Sequence, residues 1–211
     1  MGLLKILRKI KLKEKQIRLL ILGLDNSGKT TVVKSILRED VNETSPTLGF
    51  TINTLKHGDH TINLWDIGGQ TTIRSYWRNY FEQTDGVVWV VDSSDKLRLQ
   101  DCKNELHNLL KQDKLAGSTL LVLCNKQDIE GALSPKQIRE VLELDNIKTR
   151  HWMIMPCSAK NNSLLNNSKE LIEKTETKID NINSICEYTK GVENGFKWIL
   201  EDINSRIFML K

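Results

Sequence analysis

Short apolar runs, broken by polar and glycine-containing stretches, recur along the chain with helix-spaced segments between them. The first run, Ile17-Arg18-Leu19-Leu20-Ile21-Leu22, reads as a buried strand. Thr31 to Leu37 follows, with Val33, Ile36 and Leu37 spaced for one helical face. A polar loop over 39–49 carries Ser45-Pro46-Thr47. Phe50–Leu55 and Thr61–Trp65 each alternate apolar and polar residues around His57-Gly58-Asp59-His60, the pattern of a hairpin. Gly86 to Val91 is almost wholly apolar and rich in valine, which predicts a fully buried strand of the parallel kind. Leu97–Leu110 has helical period, Leu120–Cys124 is another buried strand, Ile138–Leu144 a short helix, and Trp152–Pro156 a last strand. Phe196–Ile207 closes the chain as an amphipathic helix. Strands alternating with helices predict an α/β fold: a six-stranded, mostly parallel sheet with one antiparallel edge strand and helices on both faces, in three layers.

Two stretches stand outside this alternation. In residues 1–15, Leu3, Leu4, Leu7 and Ile10 share one helical face, with basic residues largely opposite. That pattern suits either a terminal helix packed on the domain or a basic amphipathic helix for a groove or a membrane surface, where so short a helix binds weakly without a lipid. Gly2 does not complete a myristoylation signal, because Ile6 stands where Ser or Thr is wanted. Residues 160–189 are rich in Asn, Lys, Glu, Ser and Ile, the composition of an inserted surface loop, although Leu171, Ile172, Thr175 and Ile179 are roughly helix-spaced. The remainder, 16–211, reads as one domain, since 211 residues suit one sizeable α/β unit rather than two.

Bulk chemistry narrows the class. Charged residues make up 27% and hydrophobic ones 39%, as in a soluble globular chain, and no apolar stretch approaches the ~20 residues of a membrane span. A net charge of +4, concentrated near the N-terminus, argues against a nucleic-acid partner. Cys102, Cys124, Cys157 and Cys186 form no C-x-x-C pair, and Cys124 and Cys157, inside or beside apolar runs, read as buried free thiols in a reducing, cytoplasmic setting. The turn histidines His57 and His60 lack a nearby Cys or carboxylate cluster and read as solvated rather than metal-binding.

The chemistry concentrates in motifs at strand ends. Gly23-Leu24-Asp25-Asn26-Ser27-Gly28-Lys29-Thr30 reads G-x-x-x-x-G-K-T between a strand and a helix, the context a P-loop requires. Gly23 and Gly28 let the backbone turn and aim N–H groups inward, and the helix N-terminus adds partial positive charge. Lys29 can reach the β- and γ-phosphates, and the Thr30 hydroxyl can bind Mg²⁺. Asp66, at the end of a strand, is placed to hold that metal through water; Gly69 can offer an N–H to a γ-phosphate, and Gln70 can orient an attacking water. Asn125-Lys126-Gln127-Asp128 selects the base, since the Asp128 carboxylate can accept from guanine N1 and N2, and a buried carboxylate left unpaired penalises adenine.

In the order Gly23–Thr30, Ser45-Pro46-Thr47, Trp65–Gln70, Asn125–Asp128 and Cys157-Ser158-Ala159, the chain resembles a small GTPase of the Arf family. Met1–Leu4, Ser75–Glu82, Ile138–Leu144 and Ser205–Phe208 are similar to the Arf-like type two branch of it. The resemblance covers roughly 1–159 and 190–208, whereas the family usually joins its last motif to the final helix by a short loop. It implies a P-loop, Ras-like switch that binds GDP and GTP with Mg²⁺ and hydrolyses GTP slowly. It implies nucleotide contacts at Gly23, Asp25, Asn26, Ser27, Gly28, Lys29, Thr30, Thr31, Thr47, Gly69, Asn125, Lys126, Asp128, Ser158 and Ala159, the last through its backbone N–H to the guanine oxygen. Thr30 and Thr47 would be metal ligands and Gln70 catalytic. Phe50, Trp65 and Tyr80 would form an exposed patch that effectors read. Expected partners are effector, activating and exchange proteins of a monomeric switch, among them carriers of lipidated proteins and tubulin-folding cofactors. A nucleotide-holding module with negligible turnover is the alternative; a metabolic P-loop kinase is disfavoured by Asn125-Lys126-Gln127-Asp128.

Overall fold

A computed structural model describes residues 15–161 and 190–208, so the expected N-terminal helix and nearly all of the expected insertion, with Cys186, lie outside the described residues. In chain order the elements are β1 (Gln16–Leu22), α1 (Lys29–Leu37), β2 (Phe50–His57), β3 (His60–Ile67), α2 (Thr71–Arg74), a 3₁₀ turn (Trp77–Tyr80), β4 (Gly86–Asp92), α3 (Leu99–Leu110), β5 (Thr119–Asn125), α4 (Pro135–Val141), β6 (Trp152–Pro156) and α5 (Gly191–Phe208). One six-stranded sheet runs β2-β3-β1-β4-β5-β6. All pairs are parallel except β2 with β3, so the antiparallel strand sits at the edge as the alternation predicts.

Side chains in a strand alternate between faces, so each buried strand supplies both halves of the core. Leu20, Leu22, Trp89, Val91, Leu120 and Val122 pack against α3 residues such as Leu106 and Leu109 on one face. Leu19, Ile21, Val88, Val90, Leu121 and Leu123 pack against Val32 and Val33 of α1 and Ile199 and Ile203 of α5 on the other. The crossing of the strand order between β1 and β4 leaves both carboxyl ends facing one crevice, where open α/β sheets bind ligands.

Three boundaries differ from the periodicity. α4 begins at Pro135, because Ser134 and Gln137 close a capping box and Pro135 fits the first helical turn; it ends at Val141, short of Leu144. α5 begins at Gly191 rather than Phe196: Val192 is buried, and Gly195 lets the helix approach Leu121 and Leu123. α3 starts at Leu99, leaving Leu97 almost fully exposed. The two short helical turns after Gln70 have no apolar period to announce them. Trp77 anchors the second by donating its indole N–H to the Gly68 carbonyl at 2.9 Å.

Gly191 packs so tightly on the end of β6 that any Cβ there would collide with the Pro156 carbonyl. The chain therefore re-enters the described fold beside the point where it left. Replacing 160–189 by a short Gly/Ser linker is expected to keep nucleotide binding and most thermal stability, because loop length enters closure entropy only logarithmically. Loss of soluble protein or of GDP binding in that variant would place the segment in the core.

Candidate nucleotide site

β1 ends at Leu22, and the chain turns through Gly23 into α1, whose N-cap Gly28 sits at φ 88°. A Cβ at Gly28 would be strained there and would strike the Asn125 side chain. The Lys29 side chain is buried in this turn and donates to the Leu24 carbonyl at 2.7 Å. Desolvation lowers its pKa from the ordinary lysine value to about 8; Asp66 and Asp25 oppose that shift, while Arg74 and Arg98 add to it. A buried ammonium on a glycine loop is what an anion would neutralise.

Three oxygens from three segments converge next to Lys29. Thr30 donates its hydroxyl to Asp66 Oδ2 at 2.6 Å, and the Thr47 hydroxyl lies 2.8 Å from that of Thr30 and 3.5 Å from the same carboxylate oxygen. Because Thr30 has a single hydrogen, Thr47 is the donor to Thr30. Asp66 Oδ1 is buried with no partner among the described residues. Burial raises the Asp66 pKa, against the Thr30 hydrogen bond and the Lys29 charge. Two hydroxyls and a half-satisfied carboxylate are the hard oxygen set that suits Mg²⁺. Thr30 and Thr47 open on a cavity of about 300 Å³ lined by Asp25, Asn26, Gly28–Thr31, Thr44–Thr47 and Gly68–Gln70. At its wall, a Cβ on Gly69 would run into the Gly23 carbonyl, the Leu24 backbone and Lys29 Nζ, so only glycine lets the strand end approach the loop this closely. Gln70 adopts extended backbone before α2 and lines the same cavity.

The strand ends β5 and β6 bring the remaining motifs together. Buried Asn125 donates to the Ser27 carbonyl at 2.9 Å and accepts from the Ala159 N–H at 3.0 Å. The Ala159 amide, expected to face a guanine oxygen, is thus held by Asn125 in this structure. Asp128, expected as a buried carboxylate, is exposed, since among the described residues no segment covers it; a stacked base is what would exclude water there. Ser158 is buried, and its hydroxyl has no partner among the described residues. The site residues read from the sequence therefore cluster on one end of the sheet, with Asp25 and Asn26 in the loop and Thr31 in the first turn of α1.

Comparison with known proteins follows the same lines. Residues 3–176 match the ADP-ribosylation factor family. The chain belongs to that family. It is 55% identical to ADP-ribosylation factor-like protein 2 of Arabidopsis thaliana over 212 residues and 47% identical to ADP-ribosylation factor-like protein 2 of Drosophila melanogaster over 210 residues, with the whole of each chain covered. These relatives support the Arf-like type two branch. A solved structure of the Arl6 BBS3 small GTPase from Trypanosoma brucei with bound nucleotide analogue GppNp superposes with a TM-score of 0.71 at 26% identity, covering 90% of this chain and 98% of that one. The fold is the P-loop, Ras-like fold of an Arf-family GTPase.

The aromatic triad expected of this Arf-family chain is assembled. Phe50 stacks on Trp65 at 5.7 Å between ring centroids and lies 4.9 Å from Tyr80, which is 5.9 Å from Trp65. Only Phe50 is exposed; Trp65 and Tyr80 are half-buried, and the Arg18 guanidinium covers the Trp65 ring at 3.8 Å. His57 and His60 lie at the hairpin end, and among the described residues no group of three or more His, Cys, Asp or Glu side chains that could hold a metal forms. Cys102, Cys124 and Cys157 are buried free thiols, and burial pushes Cys102 up to about 11.

Sequence reasoning missed the ion pairs that brace the site. Lys126, at φ 65°, pairs with Asp92 at 2.6 Å, tying the base loop to the end of β4. Asp25 is gripped by Arg98 at 3.0 Å and Arg74 at 3.2 Å. Burial pushes its carboxyl up, but the two guanidinium groups together with hydrogen bonds hold it below the usual value. The Asp95–Arg98 spacing of three is a local signal; the other pairings join residues far apart in sequence.

Proposed function

We propose that this chain is a guanine-nucleotide switch that binds GDP and GTP with Mg²⁺, hydrolyses GTP slowly and engages effectors in the GTP state. The observation that carries the reading is the meeting of Thr30, Thr47 and Asp66. It ties the loop over 39–49 to the phosphate loop at a metal-suited point, so that loop's position depends on what the site holds. Thr30, Thr47 and, through water, Asp66 would hold Mg²⁺, which neutralises charge developing on the phosphates when bound. Lys29 and the inward N–H groups of the loop bind and orient the phosphates. Gly69 offers its N–H, and Gln70 orients the water. Asn125 braces the phosphate loop against the base loop, and Asp128 reads the guanine edge.

The effector surface on this reading is Phe50, Trp65 and Tyr80. Between α1, the hairpin end and α5 lies a second cavity of about 500 Å³, lined among others by Ile36, Leu55, His57, Val192, Phe196 and Leu200. Its partly apolar wall suits the apolar face of residues 1–15. Family resemblance suggests that the hairpin slides by two residues on GTP binding and evicts that helix. A two-residue slip keeps every side chain on its own face, whereas a one-residue slip inverts them all. The basic helix, once released, supplies a weak membrane contact. The protein is proposed to work in the cytoplasm, in part at membranes or the cytoskeleton, with carriers of lipidated proteins and tubulin-folding cofactors as partners and with an activating protein speeding turnover.

Gln70→Leu tests turnover. Nucleotide affinity is expected to stay within a few-fold, while hydrolysis stimulated by an activating protein is suppressed, because an arginine supplied in trans is worth roughly 10³–10⁵ only with the water in place. Equal stimulated rates for both proteins, read by single-turnover phosphate release, would remove Gln70 from the mechanism; no stimulated hydrolysis in either would favour the nucleotide-holding alternative.

A further inference from the structure

Arg74 is the last residue of the four-residue helix α2, and its side chain is 12% exposed. Its guanidinium joins three separate parts of the molecule. Nε donates to the Gly69 carbonyl at 2.9 Å, Nη2 pairs with Asp25 Oδ1 of the phosphate loop at 3.2 Å, and Nη1 pairs with Glu105 Oε1 of α3 at 3.3 Å. Asp25 is itself fixed from the other side by Arg98, which also donates to the Asp25 carbonyl at 3.3 Å and is anchored by Asp95 at 2.6 Å.

The Gly69 carbonyl belongs to the peptide that links Gly69 to Gln70. Holding it sets the orientation of that peptide plane, and so where the Gln70 side chain starts. α2 has no side-chain cap on its first turn, and the Trp77 indole holds the preceding Gly68 carbonyl, so the Gly69 carbonyl is the one that Arg74 fixes. An exposed ion pair would do no such thing, being worth little and bonding no main-chain atom. We propose that Arg74 is a positioning residue for hydrolysis, tethering the Gly69–Gln70 peptide to the phosphate loop and to α3. The inference rests on the switch reading of Gly69 and Gln70. A lysine cannot replace the planar fork, since one ammonium cannot serve three separated acceptors in this geometry.

The test uses the full-length protein with Arg74→Ala, Arg74→Lys and Glu105→Ala. Three quantities are measured: single-turnover GTP hydrolysis without an activating protein, and the release rates of GDP and of a non-hydrolysable GTP analogue. Both Arg74 variants are expected to slow hydrolysis roughly tenfold, the effect of losing about one charge-assisted hydrogen bond. They are expected to speed release of the triphosphate analogue several-fold while GDP release stays within about two-fold, because Gly69 faces only the γ-phosphate. Glu105→Ala should give a smaller loss that does not add to that of Arg74→Ala. Unchanged hydrolysis in Arg74→Ala, full activity in Arg74→Lys, or equal acceleration of GDP and analogue release would each overturn the tether. If Arg74→Ala fails to fold, Arg74→Lys and Glu105→Ala decide the question by the same criteria. Wild-type protein that neither binds nor hydrolyses GTP would instead remove the switch reading, and the tether with it.

Discussion

Asp128→Asn is expected to weaken GTP by on the order of 10²-fold or more and to make xanthosine nucleotides the better ligands. A carboxylate accepts from guanine N1–H and the N2 amino group together. An amide in its place turns an N–H donor toward the N2 amino group, leaving two donors facing each other. Xanthine carries a carbonyl where guanine carries that amino group, so the amide then finds an acceptor. Asp128 is exposed in the structure, so the discrimination arises only as a base covers it and its unmatched groups lose water. Competition binding of GTP and XTP to the variant checks the swap. A variant that still prefers GTP would show that Asp128 does not read the base.

Lys29→Met has the second large effect, and it acts in opposite directions on stability and binding. The Lys29 pKa is lowered to about 8 by burial, against about 10.4 for an unfolded lysine. The unfolded chain therefore holds a proton more tightly than the folded one. Below about pH 8 the full cost of burying the charge, on the order of 3 kcal/mol, weighs on the nucleotide-free protein; it fades as pH rises from 8 towards 10.4. Stability of the nucleotide-free protein should climb with pH over that window, and Met should flatten the climb. The gain at neutral pH is partly offset by the Leu24 carbonyl, which loses its donor. Nucleotide affinity should fall by roughly 10²–10³-fold, since the phosphates lose a buried counter-charge. Chemical denaturation across pH and nucleotide titration measure both halves. A variant with unchanged affinity would place the phosphates elsewhere.

Much of the fold was legible because the strands are of two plain kinds. Val87 to Val91 and Leu120 to Cys124 are buried on both faces and read as unbroken apolar runs, while the edge strand Phe50–His57 mixes apolar with polar residues and is largely exposed. The site was legible because glycine loops and strand-end carboxylates recur at fixed spacings set by phosphate and metal geometry. What stayed hidden depended on distance or on a partner. Arg74 and Arg98 meet Asp25 across separations of 49 and 73 residues, which no local pattern encodes. The start of α4 was readable from Ser134, Pro135 and Gln137, but apolar spacing alone points to Ile138. Gly191 and Gly195 argue locally against the helix that their packing on Pro156 and Leu121 makes favourable. The exposure of Asp128 follows from the fold around it, not from its motif.

Hydrogen exchange of the wild-type protein, compared between GDP and a non-hydrolysable GTP analogue without partner or membrane, tests the two-state switch most directly. Amides in 44–50 and 68–74 should be slower with the analogue, because Thr47 and Gly69 are then held by the γ-phosphate and metal. Amides in 2–12 should be slow with GDP and fast with the analogue, as the helix leaves its groove. Identical exchange in all three stretches under the two nucleotides would contradict the switch.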